Sequence, residues 1–185
     1  GAQVYVDLQH GLRFLFDEQS QQGLVIESDV KIENNTTISG FCATQNWVSR
    51  KYYFTITFDQ PFINLNHLDP KPKDKAPKYL LDFTLANNKI LKVKIALSSV
   101  AVDGAKLNMQ TEIPHWNFEK VYQSNLASWE TYLDKINIEA PLKQMEIFYT
   151  SLYHLFLQPS NIADVDGKYR GVDDKIAIAP NKAYY

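Results

Sequence analysis

Through most of the first hundred positions, apolar and polar side chains alternate with a period of two. Tyr52, Phe54, Ile56 and Phe58 stand on one side of a predicted strand, and Tyr53, Thr55 and Thr57 on the other. Tyr79, Leu81, Phe83 and Leu85 alternate in the same way with Leu80, Asp82 and Thr84. Leu91, Val93, Ile95 and Leu97 alternate with Lys92 and Lys94. Asn87-Asn88 lies between these last two runs and predicts a hairpin pairing 79–86 with 89–98. Earlier, 12–16 and 24–26 are short apolar runs separated by polar residues. Asn34-Asn35 predicts a turn between 30–32 and 36–41, because Asn tolerates positive φ. Strands with one apolar and one polar face predict an antiparallel sandwich.

The period then lengthens to 3.6. Asn117 suits an N-cap, and Phe118, Val121, Tyr122, Trp129, Leu133 and Ile136 recur at helical spacing, which predicts a helix over 117–135. A second helix is predicted over 141–158, with Pro141 tolerated in its first turn and Pro159 ending it. Met145, Phe148, Leu152 and Phe156 form one stripe on it, with Ile147, Leu155 and Leu157 beside them. A helix apolar on several sides expects several neighbours. His154 on this helix is expected in a hydrogen-bonded core position, whereas His67 and His115 flank turns and are expected at the surface. The fold class is therefore α+β: a β-rich domain followed by two helices.

Composition narrows the function classes. Aromatic residues make up 13% of the 185-residue chain, a share that suits both sheet cores and sugar binding, where ring faces meet pyranose C–H groups. The formal net charge of −2 is well mixed along the chain, so nothing steers it to nucleic acid. The run Pro70-Lys71-Pro72-Lys73-Asp74-Lys75-Ala76-Pro77-Lys78 reads as a solvated loop. Cys42 is alone, which excludes an internal disulfide and a thiolate metal cluster. No segment approaches the ~20 apolar residues of a membrane span. No signal peptide is present, and a chain that opens on Gly1 is expected to be processed or trimmed.

Candidate chemistry gathers in Asp164-Val165-Asp166-Gly167-Lys168-Tyr169-Arg170-Gly171-Val172-Asp173-Asp174. Four carboxylates in eleven residues invite calcium, whose ligands are hard oxygens. The spacing is not that of an EF-hand, however, because the Gly falls fourth and no Glu follows. Two further readings stand beside it. One is a Gly-rich surface turn. The other is sugar contact, since Asp and Arg hydrogen-bond vicinal hydroxyls strongly. No His-Glu-x-x-His, Gly-x-Ser-x-Gly or phosphate-binding loop is present. Asn34-Asn35-Thr36-Thr37 holds two overlapping N-glycosylation acceptor patterns, a short motif with a high false-positive rate.

Longer motifs resemble a known family. Leu107-Asn108-Met109-Gln110-Thr111-Glu112-Ile113-Pro114-His115-Trp116-Asn117-Phe118 is similar to the stretch of glycoside hydrolase family 92 in which a sheet strand hands over to a linker helix. Trp129 and Lys135-Ile136-Asn137-Ile138 resemble the end of that helix and the segment after it. Phe148-Tyr149-Thr150-Ser151-Leu152-Tyr153-His154 with Pro159, and then Asp164 to Asp173, are similar to the family's Phe-Tyr-Thr-x-Leu-Tyr-His helix and its Asp-x-Asp-Gly-x-Tyr-Arg-Gly-x-Asp signature. In the β part, Asn46-Trp47 before an aromatic strand and Phe58-Asp59-Gln60-Pro61-Phe62 resembles the family's Gly-Trp and Phe-x-x-Pro-Phe. The sequence departs by carrying Asn46 for Gly, and Phe41-Cys42-Ala43 where an Arg-containing segment is common.

The resemblance implies a bacterial, secreted (periplasmic or extracellular) exo-α-mannosidase that is calcium-dependent and inverts configuration. Its β-sandwich would be joined by linker helices to an (α/α)₆ barrel. It implies a partial sandwich domain over 1–112, a linker helix over 113–140, and the start of a helical catalytic domain over 141–185. Trp47, Asp166, Tyr169, Arg170 and Asp173 are the substrate-binding candidates, with mannose-containing glycans as partner. The family's two catalytic carboxylates and most of its calcium ligands come from later segments. No catalytic or metal-binding residue is therefore assigned here, no calcium is expected on these residues alone, and the chain is expected to be inactive by itself. A second copy could cover the open helix 141–158. The other function class that the sequence allows is a free-standing β-sandwich module that binds carbohydrate or another protein.

Overall fold

Strand-forming residues between 2 and 98 build two antiparallel sheets around one apolar core. The computed structural model describes residues 1–8, 24–45, 49–68, 77–86 and 89–185. The run 12–16, Trp47 with Asn46, positions 70–76 of the Lys/Pro run and the Asn87-Asn88 pair lie outside these described residues, as does His10, while Lys78, expected in that loop, opens a strand.

In chain order the strands are β1 (Ala2–Asp7), β2 (Leu24–Asn34), β3 (Thr37–Gln45), β4 (Arg50–Phe58), β5 (Phe62–Leu68), β6 (Lys78–Phe83) and β7 (Val93–Ser98). One sheet has the order β1-β6-β5 and the other β2-β3-β4-β7. Val6 from β1 and Leu81 and Phe83 from β6 meet Ile38 from β3 and Phe58 from β4, and these five side chains form the buried centre. Phe58 and Phe83 have ring centroids 4.9 Å apart. Burying each such ring is worth roughly 1.5–3 kcal/mol before entropy is counted.

The β2–β3 hairpin forms where expected, with Asn34 opposite Thr37. Its turn works differently from the expectation. Asn35 does not have positive φ; instead Asn34 Oδ1 accepts from the Thr36 amide at 2.8 Å and from the Thr36 hydroxyl at 2.9 Å, an Asx arrangement.

The hairpin expected between 79–86 and 89–98 does not form. Lys89 N–H donates to Ala86 C=O at 2.9 Å, but β6 pairs with β1 and β5 whereas β7 pairs with β4. Side chains from the β4–β5 connection replace strand pairing there. Gln60 accepts from the Ala86 amide at 2.7 Å and donates to Ile90 C=O at 2.6 Å, and Asp59 accepts from the Lys92 amide at 2.9 Å. The chain thereby crosses from one sheet to the other.

Three helices follow: α1 (Val102–Glu112), α2 (Phe118–Leu133) and α3 (Leu142–Phe156). The segment 107–112, expected to end a strand, is the second half of α1. Ala105, Asn108 and Met109 at i, i+3 and i+4 are its buried face, against β7, β4 and β3. The outer side of the sheet is consequently dry there, and Ser39 and Thr55 are each only 1% exposed. At α2, Asn117 caps as expected, accepting from the Lys120 amide at 3.0 Å. Two short strands close the chain, β8 (Lys168–Arg170) and β9 (Ile176–Ile178), paired antiparallel.

The chain divides into two compact units, Gly1–Pro114 with Ala163–Tyr184, and His115–Ile162 with Tyr185. The acidic segment after α3, which the resemblance groups with the helices, clusters with the sheets. Within the second unit, Trp129 and Tyr132 of α2 meet Tyr153 and Phe156 of α3, with centroids at 4.6 Å for Trp129–Tyr153 and 5.7 Å for Tyr132–Phe156. Leu152 is the single buried residue of α3, and α2 has none. His154 is therefore exposed rather than in a core. His115 is half-buried, with Nδ1 shielded and unpartnered, rather than at the surface.

Candidate functional site

Residues 163–174 hold two tight turns, one before β8 and one between β8 and β9. The Gly167 amide bonds Asp164 C=O at 2.7 Å, the Asp164 amide bonds Lys168 C=O at 2.8 Å, and the Ala179 amide bonds Gly167 C=O at 2.8 Å. Gly167 has φ of 87°, which a side chain would oppose. A second turn closes from the Asp174 amide to Gly171 C=O at 3.1 Å, and Asp174 itself has φ of 63°.

Four of the five substrate-binding candidates are carried here. Asp166 accepts from the Lys168 ammonium at 2.7 Å and from the Lys168 amide at 3.0 Å. Those bonds hold its carboxyl below the ordinary carboxylate range, and the same contact pushes the Lys168 ammonium up. Tyr169 stacks on Tyr184 with centroids 3.8 Å apart and planes 18° from parallel. Asp173 is exposed and accepts from the Lys175 amide at 3.2 Å. Arg170 is turned inward: Nε donates to Ser99 C=O at 2.8 Å, one terminal nitrogen to Val100 C=O at 3.1 Å, and the other to Asp174 C=O at 3.0 Å and its carboxylate at 3.2 Å. The guanidinium thus clamps the hairpin to the β7–α1 corner. The fifth candidate, Trp47, lies outside the described residues.

Two further residues that anchor this segment, Asp164 and Asn108, are not among the five candidates. Asp164 is 3% exposed, and it meets Ser98 and Asn108 from the β7–α1 corner. Asn108 stands within the motif that carried the resemblance, but its partner is 56 residues away in sequence.

The carboxylates of this segment do not converge. Asp164 faces Ser98 and Asn108, Asp166 faces Lys168, Asp173 faces Lys175 and Asp174 faces Arg170. Among the described residues no three His, Cys, Asp or Glu side chains are placed to hold one metal ion. The donor set does not fit a calcium cradle. No helix of the described residues is long and apolar enough to cross a membrane.

Two open clefts lie elsewhere. In the sheet unit, one of about 390 Å³ is bounded by Glu33, Thr57, Lys94, Lys106 and Met109. Hydrogen bonds from Ser39 and Lys106 hold the Glu33 carboxyl below its ordinary range, and burial lowers Lys94. In the helix unit, one of about 470 Å³ is bounded by Trp129, Tyr132, Phe156, Pro159 and Tyr185. Neither carries a pair of carboxylates.

Comparison with known proteins decides the family. The model of the glycosyl hydrolase family 92 catalytic domain matches residues 104–185. Residues 104–185 belong to family 92. The likeness extends into the sheets: the family 92 α-mannosidase BT3965 of Bacteroides thetaiotaomicron matches over 82% of this chain at 30% identity, with a TM-score of 0.75. A structure of that protein holds mannoimidazole. The family 92 glycosyl hydrolase ccman5 matches over 85% of the chain at 24% identity and a TM-score of 0.73. The inverting family 92 mannosidase BT2199 of Bacteroides thetaiotaomicron VPI-5482 matches over 84% at 18% identity and a TM-score of 0.74, which bears on the fold alone. The chain spans 23%, 23% and 24% of the length of these three family 92 chains. Comparison with curated proteins gave no match. The family 92 match begins at Gly104, within α1, so it takes in both Asn108 and the 163–174 segment.

Proposed function

We propose that these residues are part of a secreted, periplasmic or extracellular bacterial exo-α-mannosidase that hydrolyses α-mannosides of mannose-rich glycans with inversion. The observation that carries the reading is the likeness to BT3965, an α-mannosidase, at 30% identity across both the sheets and the helices. Inversion requires an acid on the leaving oxygen and a base on a water across the ring, with carboxyls roughly 6.5–9.5 Å apart. Neither is assigned to this chain. Calcium, bound elsewhere in the intact enzyme, would polarise sugar hydroxyls; the chain's own part is binding and orientation.

In this reading the segment 166–173 borders the sugar. Asp166 and Asp173 present carboxylate oxygens to hydroxyl groups, Tyr169 with Tyr184 supplies an aromatic flank, and Arg170 braces the hairpin from behind. Trp47 supplies a ring face for the pyranose. The helices 118–156 open the helical catalytic domain, and the exposed side chains Ile147 and Leu155 leave α3 able to pair with a second copy in solution. Light scattering that found only monomers would overturn that pairing.

The test of the function is release of mannose from an α-mannobioside with calcium present. The intact enzyme should release it, and the 185-residue chain alone should not, because an acid and a base each contribute about 10²–10⁴-fold and both would be missing. Turnover by the 185 residues alone would overturn the reading.

A further inference from the structure

A buried carboxylate is a costly choice for mere packing, because charge taken out of water must be fully compensated by well-placed donors. Asp164 meets that condition with both oxygens. Ser98 Oγ donates to Oδ2 at 2.6 Å, and Asn108 Nδ2 donates to Oδ1 at 2.9 Å. Asn108 in turn donates to Leu97 C=O at 2.9 Å, and its own oxygen accepts from the Val165 amide at 2.9 Å. Ser98 Oγ is itself fixed, accepting from the Val100 amide at 2.9 Å. The approach is so close that a Cβ on Gly104 would lie 2.6 Å from Ser98 Oγ and would also collide with Asp164 Oδ2. Such a network is directional: moving the segment by one residue or by an ångström breaks several bonds at once.

We propose that Asp164 is a positioning residue for the sugar site. With Ser98, Asn108 and the clearance left by Gly104, it latches 163–174 to the β7–α1 corner and sets where Asp166, Tyr169 and Asp173 stand. The proposal rests on the reading that 166–173 borders the sugar. Arg170 holds the far end of the same segment through Ser99 and Val100, so the segment is fixed at two points. Asp164 governs the end nearer Asp166.

The test joins hydrogen exchange on the 185-residue chain to kinetics on the intact enzyme. Asp164→Asn places an amide donor against Ser98 Oγ or Asn108 Nδ2. The amides of Val165, Gly167 and Ala179 should then exchange about tenfold faster or more, while those of Ile38 and Phe58 keep their protection. Ser98→Ala removes one bond and should act in the same places more weakly, which keeps the proposal testable if Asp164→Asn fails to fold. In the intact enzyme each variant that opens the segment should raise KM for an α-mannobioside, by about tenfold for Asp164→Asn, with kcat within about threefold. A merely structural role would lower the active fraction and leave KM alone. Exchange that is unchanged, or faster across the whole sheet unit, overturns the latch. Local opening with unchanged KM overturns the reading that the segment borders the sugar, and the positioning role with it.

Discussion

The sheet unit and the helix unit reach their structures by different routes. In the sheet unit, alternating side chains from two sheets close on each other, and Ile38, Phe58, Leu81 and Phe83 are between 0% and 2% exposed. A helix then covers the outer side of one sheet, so that Thr55 and Ser39 are as dry as the apolar centre. In the helix unit, α2 and α3 meet along one line of aromatic rings and most of their other apolar side chains face outward: Phe118 is 76% exposed and Leu155 69%. A sheet with a second sheet on one face and a helix on the other buries its middle strands on both sides, although Ile95 and Leu97 on the edge strand β7 stay 58% and 57% exposed, whereas two helices bury one stripe each at most. Both units carry apolar patterns, so pattern alone does not say how much of it becomes core.

That contrast can be broken first at its strongest point. Phe58→Ala should destabilise the chain by about 3–5 kcal/mol, read as a lower urea midpoint, because its cavity opens where both sheets meet. Leu155→Ala, a change of similar chemistry on α3, should stay within about 0.5 kcal/mol. A comparable loss at Leu155 would mean that the helix unit has a core of its own. Arg170→Ala comes next: it strands the carbonyls of Ser99 and Val100 and should cost about 2 kcal/mol in the sheet unit. Its bond to the largely exposed Asp174 carboxylate adds little. An unchanged melting temperature would show that Arg170 does not brace the hairpin.

Asn117→Ala removes the α2 cap and should cost about 1 kcal/mol, seen as lost helical circular dichroism with the sheet transition unmoved. Coupled loss of both signals would merge the two units into one cooperative block. The smallest effect is at Glu33. Its folded carboxyl is held below the ordinary range, so it stabilises the fold above the unfolded value of about 4.3 and loses that contribution as pH falls through the lower, folded value. Glu33→Gln should therefore lower the melting temperature slightly near neutral pH and not at all in acid. A deficit that persists in acid would assign Glu33 a packing role instead.

Much of the helical half was legible in the chain. Predicted limits of 117–135 and 141–158 compare with Phe118–Leu133 and Leu142–Phe156, because caps, prolines and the 3.6 period act within one turn of where they stand. Strands β2, β3, β4, β6 and β7 were legible one by one, and so was the β2–β3 pairing, but β1, β5, β8 and β9 were not picked out and β6 and β7 were given each other as partners. The runs around Leu81 and Ile95 alternate and stand close together in the chain, yet Gln60 and Asp59 satisfy the backbone between them and they join different sheets. Helix α1 escaped notice because its buried face includes Asn108, a polar residue that reads as exposed until its partner is known. The acidic segment was visible as a cluster and through its family motif. Which of its members face inward was not visible, since Asp164 and Arg170 are fixed by Ser98, Ser99, Val100 and Asn108 across roughly sixty to seventy positions of chain.

The pairing of β1 with β6 sets a schedule for the growing chain. Asp7 finds its partner in Lys78 and Ala2 in Phe83, so the first strand leaves the ribosome some seventy to eighty residues before the strand that will hold it. At about 5–20 residues per second, that is a wait of several seconds with Val4 and Val6 uncovered. The β2–β3–β4 meander can assemble during that interval from neighbours alone. β6 arrives last in its sheet and takes the central place between two strands already made, and its insertion is the event that closes the core.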